Sequence, residues 1–373
     1  MALTAEQIAK KVGVSNATVS RVLNNTQYVS PEAREAVLAA IREAGEPPRL
    51  LGRRNKSKIQ QAQAGFVEIL IAERFQPIEV GPHQPLEAGP HQPLSPETMN
   101  KNAVPRLGRI GSFTRHIIEG VVEELRPFGI RAVIQTTRRL DDPTIVSEVN
   151  DADNRGVFLF GIYDKDVHDF VDRCRVPVVS FMTWEHNGWP DYVGIDNLTG
   201  IRLAFNHLRE LGHTKIGYVA GALEFSQVFQ QRLAAYRMML AEAKLPVRED
   251  WITRDNCEIG VIQEQVEAML KPKDRPTAIL CSFDGAALGV RRAADKLRLH
   301  IPDDLSVIGF DDEDVAQLFS PPLTTVRVPF PLMGRNAVQL MMMRQQRPIK
   351  KGEGVSIRVT PTLTIRESAA AVK

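Results

Sequence analysis

Hydrophobic positions recur along this chain with two periods, and the change from one to the other divides it. Up to residue 45 the spacing is helical: Ile8, Ala9 and Val12, then Val19, Val22 and Leu23, then Ala33, Val37, Leu38 and Ile41. Thr4, Ser15 and Ser30-Pro31-Glu32 stand where helix caps belong, and Gly13 and Gly45 where helices end. Three short helices are predicted, the first two joined by a tight turn at Gly13. Helix, tight turn, helix and supporting helix is the layout of a helix-turn-helix DNA reader.

From Phe66 the pattern changes. Near-continuous apolar runs at 66–72, 131–135, 156–160, 177–181, 215–221, 277–282 and 305–310 read as strands. Amphipathic runs such as 116–128, 201–211, 231–243 and 285–297 lie between them. This alternation predicts an α/β body of two doubly wound parallel-sheet lobes, whose strand carboxyl ends are the usual place for a ligand.

Two stretches keep neither period. Glu46-Pro47-Pro48 blocks helix continuation and opens a basic, polar linker over 46–64. After the first strand, 76–108 interrupts the rhythm with a tandem octad, GPHQPLEA (81–88) and GPHQPLSP (89–96). Its Pro and Gly favour an irregular or polyproline-like insertion over a metal site at His83 and His91. The predicted organisation is a helix-turn-helix domain at 1–45, the linker at 46–64, and an effector-binding and dimerisation domain at 65–366. Within that domain the lobes take 66–197 with 329–354, and 198–328 with 355–366.

Charge sharpens this picture only locally. The 373 residues carry 47 Lys+Arg against 45 Asp+Glu, but residues 1–60 hold 10 basic and 5 acidic side chains. That points to a local polyanion contact. Three scattered cysteines fit reduced thiols, so no secreted disulfide scaffold is expected. No apolar run approaches the ~20 residues of a membrane helix, and 1–11 has no signal-peptide core. A cytoplasmic, nucleoid-associated protein with no membrane contact is expected.

The second helix carries SNATVSRVLN (15–24). Ser15, Asn16 and Ala17 occupy the turn that meets base edges when such a helix enters the major groove. Asn16 suits adenine and Ala17 a thymine methyl. Thr18 and Ser20 suit phosphates, and Arg21 reaches phosphate or guanine. Thr4, Asn24 and Tyr28 complete the candidate set in this domain. The competing reading is a plain three-helix bundle with polar surface positions; the literal string favours DNA.

Residues 4–25 and 29–45 resemble the DNA-binding domain of the LacI/GalR family of bacterial transcriptional regulators. The body is similar to that family's effector domain at 193–221, 231–240, 281–312 and 320–342. The resemblance implies a periplasmic-binding-protein-like body and a homodimer reading a near-palindromic operator. It also implies a small effector, often a sugar, that controls operator affinity. It implies effector contacts at Arg232 and at Asp311, the first of the acidic pair Asp311-Asp312. Arg74, Ser112, Thr114 and Phe330 are further candidates.

The sequence departs from the family in three places. The hinge segment is EPPRLLGRRN (46–55), where only Pro48 fits the usual pattern. Either Leu50 or Leu51 wedges into the minor groove with Arg53 and Arg54 on phosphates, or the segment is a flexible basic tether. The family's Asn-Asp is Phe283-Asp284, and a common aspartate is Met182. Polar contacts are thus exchanged for apolar ones, with Trp184 and Trp189 nearby as either a stacking surface or core.

No phosphate-loop, dinucleotide, nucleophile-elbow or zinc-protease motif occurs, so no cofactor, metal or catalytic residue is expected. A sensor that represses transcription is the preferred function. A sugar-binding receptor and a sugar-processing enzyme on the same two-lobed fold are the alternatives.

Overall fold

The computed structural model describes residues 5–15, 18–19, 22, 30, 32–33, 36–37, 39–40, 65–72, 112–137, 140–161, 166–181, 190–224, 226–255, 257–347 and 353–372. The chain separates into two units, Met1–Ala64 and Gly65–Lys373.

In the first unit, α1 (Ala5–Val12) ends at Gly13, whose φ of 72° lets the chain reverse. Val14 N then donates to Ala9 O at 3.0 Å. Ser15 caps the next helix, its Oγ accepting from Thr18 N at 3.1 Å, and Ser30 Oγ accepts from Ala33 N at 3.3 Å. Both caps fall where the sequence predicts them. Ile8, Ala9, Val19, Val22, Val37 and Ala40 are buried together, a small core built from all three helical segments.

The second unit holds two sheets. The first contains β1 (Gly65–Ala72), β2 (Ile130–Thr137), β3 (Asn154–Phe160), β4 (Val178–Phe181), β5 (Asp191–Ile195) and β10 (Ser356–Val359). All are parallel, in the order β10-β5-β4-β3-β1-β2. The second contains β6 (Ile216–Val219), β7 (Ala278–Cys281), β8 (Ser306–Asp311), β9 (Thr324–Arg327) and β11 (Thr362–Thr364). Its order is β11-β9-β8-β7-β6, with β11 antiparallel to β9 and the others parallel.

Helices cover both faces of each sheet, which is why the strands read as continuous apolar runs. Along β1, Val67, Ile69 and Ile71 point to the face covered by α2 (Ser112–Leu125) and α10 (Phe330–Gln346). Leu70 points to the other, under α3 (Pro143–Val149) and α4 (Asp166–Arg173). In the second sheet, Tyr218, Leu280 and Ile308 meet the face of α5 (Asn197–Glu210) and α6 (Gln227–Glu242). Ile279 and Val307 meet α7 (Ile259–Leu270), α8 (Ala286–Lys296) and α9 (Asp314–Leu318). Each fully buried Ile or Leu here contributes roughly 1.5–3 kcal/mol. Helices α2 and α10 approach closely enough that a Cβ on Gly120 would collide with the Pro331 backbone, and one on Gly334 with Ile117 and Val121.

The chain crosses between lobes after β5, after β9 and after β10. The third crossing corrects the sequence reading, which gave 355–366 to the second lobe. Residues 356–359 instead pair with β5 of the first sheet, Ile357 opposite Val193. An edge strand of alternating exposure fits either sheet from its sequence. Contacts far along the chain place it here: Asp191 Oδ1 accepts from Val355 N at 2.7 Å.

Candidate functional site

In the helical unit, Ser15 and Thr18 are the only described members of the candidate DNA-facing set. Their hydroxyls lie 2.9 Å apart, so both are engaged in the cap that starts the second helix. Thr4, Asn16, Ala17, Ser20, Arg21, Asn24, Tyr28, Arg53 and Arg54 lie outside the described residues, as do the linker and the 76–108 insertion.

The second unit gathers its chemistry at the carboxyl ends of β6, β7 and β8. Ser226 caps α6, with its Oγ accepting from Phe229 N, and one turn on the helix presents Arg232. Arg232 is 1% exposed. Its Nε donates to Asn197 Oδ1 at 2.8 Å, Nη1 to Ser282 O at 2.5 Å, and Nη2 to Asp311 Oδ1 at 3.0 Å. A longer bond joins Nη1 to Asp311 Oδ2 at 3.5 Å. Beneath it the Phe310 ring lies 3.6 Å from the guanidinium carbon. Four of the five N–H groups of the guanidinium are thus directed at protein acceptors.

Asp311 ends β8 at φ 111°, and Asp312 follows at φ 58°. Two successive left-handed residues other than glycine are strained and persist only where the surroundings hold them. Arg366 Nη2 grips Asp312 Oδ1 at 2.6 Å, and Asp284 Oδ2 accepts from Glu313 N at 2.8 Å. Burial raises the Asp311 carboxyl above the usual carboxylate range, opposed by the Arg232 charge and hydrogen bond. Its side chain remains 13% exposed.

Asp284, from the expected effector set, is engaged within the protein. It is fully buried, and both oxygens are occupied, one by Glu313 N and the other by Thr325 Oγ1 at 2.5 Å. Burial, with Asp311 nearby, pushes its carboxyl well above the usual range. Its work is to brace the strained loop. Phe283, half-buried, packs against Phe229 with ring centroids 5.6 Å apart.

On the first lobe, Thr114 is 3% exposed on α2, and Phe330 packs on Phe113 at 5.8 Å. Ser112 begins α2, though its side chain lies outside the described residues, as do Arg74, Met182, Trp184 and Trp189. Sequence reasoning missed Arg115, whose Nη2 lies 3.4 Å from Asp314 Oδ2 on α9 and joins the two lobes. It also missed Asn197, Phe310 and the Ser282 carbonyl, which together hold Arg232. No local pattern marks them, because they meet only through the fold.

Residues 4–45 match the model of bacterial regulatory proteins of the lacI family, and residues 205–369 that of a periplasmic binding protein-like domain. The chain therefore carries a lacI-family helix-turn-helix segment ahead of a periplasmic binding protein-like domain. Among relatives of the family, the transcriptional repressor PurR of Haemophilus influenzae strain PittEE is 28% identical over 99% of both chains. The ribose operon repressor of Haemophilus influenzae strain Rd is 27% identical over 99% of both. The transcriptional regulator CelR in complex with cellobiose is 25% identical, with a TM-score of 0.63 over 98% of this chain and 99% of that one. The Lac repressor dimer bound to operator, at 24% identity and a TM-score of 0.61 over the whole of both chains, shares the fold. In this chain the lacI-family segment thus stands before a two-lobed α/β body.

Proposed function

We propose that this LacI-family chain is a cytoplasmic, homodimeric transcriptional repressor without catalytic activity. A small effector, a sugar or sugar derivative, sets its operator affinity by binding between the lobes beside Arg232 and Asp311. The carrying observation is the Arg232–Asp311 pair, a carboxylate acceptor held by a strained, braced loop at the strand ends of a two-lobed body. Repressors of similar length among its relatives, and the cellobiose complex of CelR, support this reading.

Three chain crossings join the lobes, so the lobes can rotate against each other about that connection. An effector touching both lobes favours the closure state in which its contacts are best, and by linkage changes DNA affinity by the same factor in reverse. The test is operator selection from random DNA with the full chain, followed by fluorescence anisotropy with D-ribose, cellobiose and other sugars. A near-palindromic site whose affinity shifts with one of them supports the proposal. Arg21→Ala should weaken that site by about 1–3 kcal/mol. Absence of sequence preference would overturn the DNA assignment.

A further inference from the structure

Among the described residues, most ion pairs of the body join side chains of one lobe. Arg237 with Glu249, Arg248 with Asp274 and Arg291 with Asp295 lie within the second lobe, and Arg335 with Glu123 within the first. Such pairs are made equally well whichever way the lobes face, so they add nothing to the balance between lobe orientations. Arg115 and Asp314 differ. Arg115 stands in the first turn of α2 on the first lobe and Asp314 opens α9 on the second, 199 positions away, with Nη2 donating to Oδ2 at 3.4 Å. Both ends rest on fixed ground. Beside Arg115, Thr114 is 3% exposed and Phe113 packs on Phe330, while Gly120 brings α2 against the Pro331 backbone. Beside Asp314, Glu313 N donates to Asp284 Oδ2 at 2.8 Å, and the buried Ala316 accepts from Leu323 N at 2.9 Å. The separation of the two helix starts is therefore set by how the lobes face each other, and little by local bending.

We infer that Arg115 and Asp314 form an electrostatic tether that draws the two lobes toward one orientation before any effector binds. Its regulatory meaning rests on the effector reading above; the tether itself needs no ligand. The side chains are 54% and 71% exposed, so water and salt screen the pair, and it adds little to the stability of the fold. A weak contact still enters the balance in full when one lobe orientation makes it and the other does not. At the strength of an exposed pair, the orientation that holds it is favoured about two- to fivefold. Salt that screens the charges removes that preference, so the effector-free balance follows ionic strength. An effector that favours the tethered orientation gains up to that factor in affinity, and one that favours the other gives up the ion pair on binding.

Single-molecule fluorescence energy transfer on the full chain tests this without any ligand. Dyes are placed at Asp169 on α4 and at Lys273 after α7, both exposed, through an unnatural amino acid that leaves the three cysteines alone. Labelled protein is mixed with excess unlabelled protein, so that each dimer carries one labelled copy. In the wild type, the population in the tethered orientation should fall about two- to fivefold relative to the other between about 0.05 M and about 0.5 M salt. Arg115→Gln should lower it by the same factor at low salt and abolish the salt dependence. Arg115→Asp and Asp314→Arg, which set like charges against each other, should reverse that dependence, and the combined swap should restore it. Both side chains are largely exposed, so these variants keep the fold. A wild-type distribution indifferent to salt, or single reversals that leave it unchanged, would overturn the inference. So would a swap that fails to restore what the single reversals disturb, because the effect would then arise from the packing of one helix and not from the pair. Since no ligand enters, failure of D-ribose or cellobiose to bind bears on the effector site alone, and failure here on the tether alone.

Discussion

Arg344 and Asp191 form a two-pronged ion pair, Nε to Oδ2 at 2.7 Å and Nη2 to Oδ1 at 2.8 Å, with side chains 9% and 2% exposed. The same guanidinium donates to Glu353 O at 3.1 Å, and the same carboxylate accepts from Val355 N. One pair thus ties the end of α10, the start of β5 and the approach to β10. Arg344→Met should destabilise the second unit by about 3–5 kcal/mol, because it strands a buried carboxylate. Adding Asp191→Asn should recover part of that loss, measured as thermal unfolding of the full chain.

Arg232→Ala should cost stability as well as effector response. Removing the guanidinium leaves Asp311 and Asn197 without their donor and opens a cavity over Phe310. A loss of about 3–5 kcal/mol is expected. Asp311→Asn keeps the shape, so it should remove effector binding with a smaller loss of stability. Calorimetric titration beside thermal melting checks both; equal loss of stability in the two variants would contradict the assignment.

Glu68 lies in β1, 5% exposed, with Oε2 lacking a hydrogen-bond partner among the described residues. Burial, followed by repulsion from Glu148 and Asp151, pushes its carboxyl up to about 7. The folded state therefore holds the proton more tightly than the unfolded chain. The stability this gives is full below the ordinary value of 4.5 and is lost as pH rises through about 7. Glu68→Gln should raise stability by roughly 1–3 kcal/mol above that pH and change little in acid. Melting curves of both proteins across this range provide the measurement.

His213 works in the opposite direction. Its ring bridges Thr277 Oγ1 at 2.8 Å, Ser306 Oγ at 3.0 Å and Ala370 O at 3.0 Å, joining the C-terminal segment to β8 and the start of β7. Burial lowers its pKa below the ordinary 6.5, partly offset by the bond to Ala370 O. The folded state prefers the neutral ring, so its stability is in place above 6.5 and falls as pH drops below it. His213→Gln should flatten the stability profile below the ordinary histidine value of 6.5. An unchanged slope would show that another group carries it.

Helix caps and periodicity are local, and the sequence alone determined what depends on them. Ser15 and Ser30 cap where their hydroxyls predict, and Val67, Ile69 and Ile71 alternate with Leu70 because a strand turns every second side chain to one face. The two-lobed α/β body follows from that alternation, and the lacI-family match at 4–45 from the literal strings. Tertiary structure decided what depends on partners distant in the chain. It sent 356–359 to the first sheet, since a short edge strand pairs with whichever neighbour the Arg344–Asp191 clamp presents. It also closed Asp284 and Arg232 into hydrogen-bond networks, because burial and hydrogen-bond completion are settled by residues 29 to 79 positions away, not by the motif in which a residue stands.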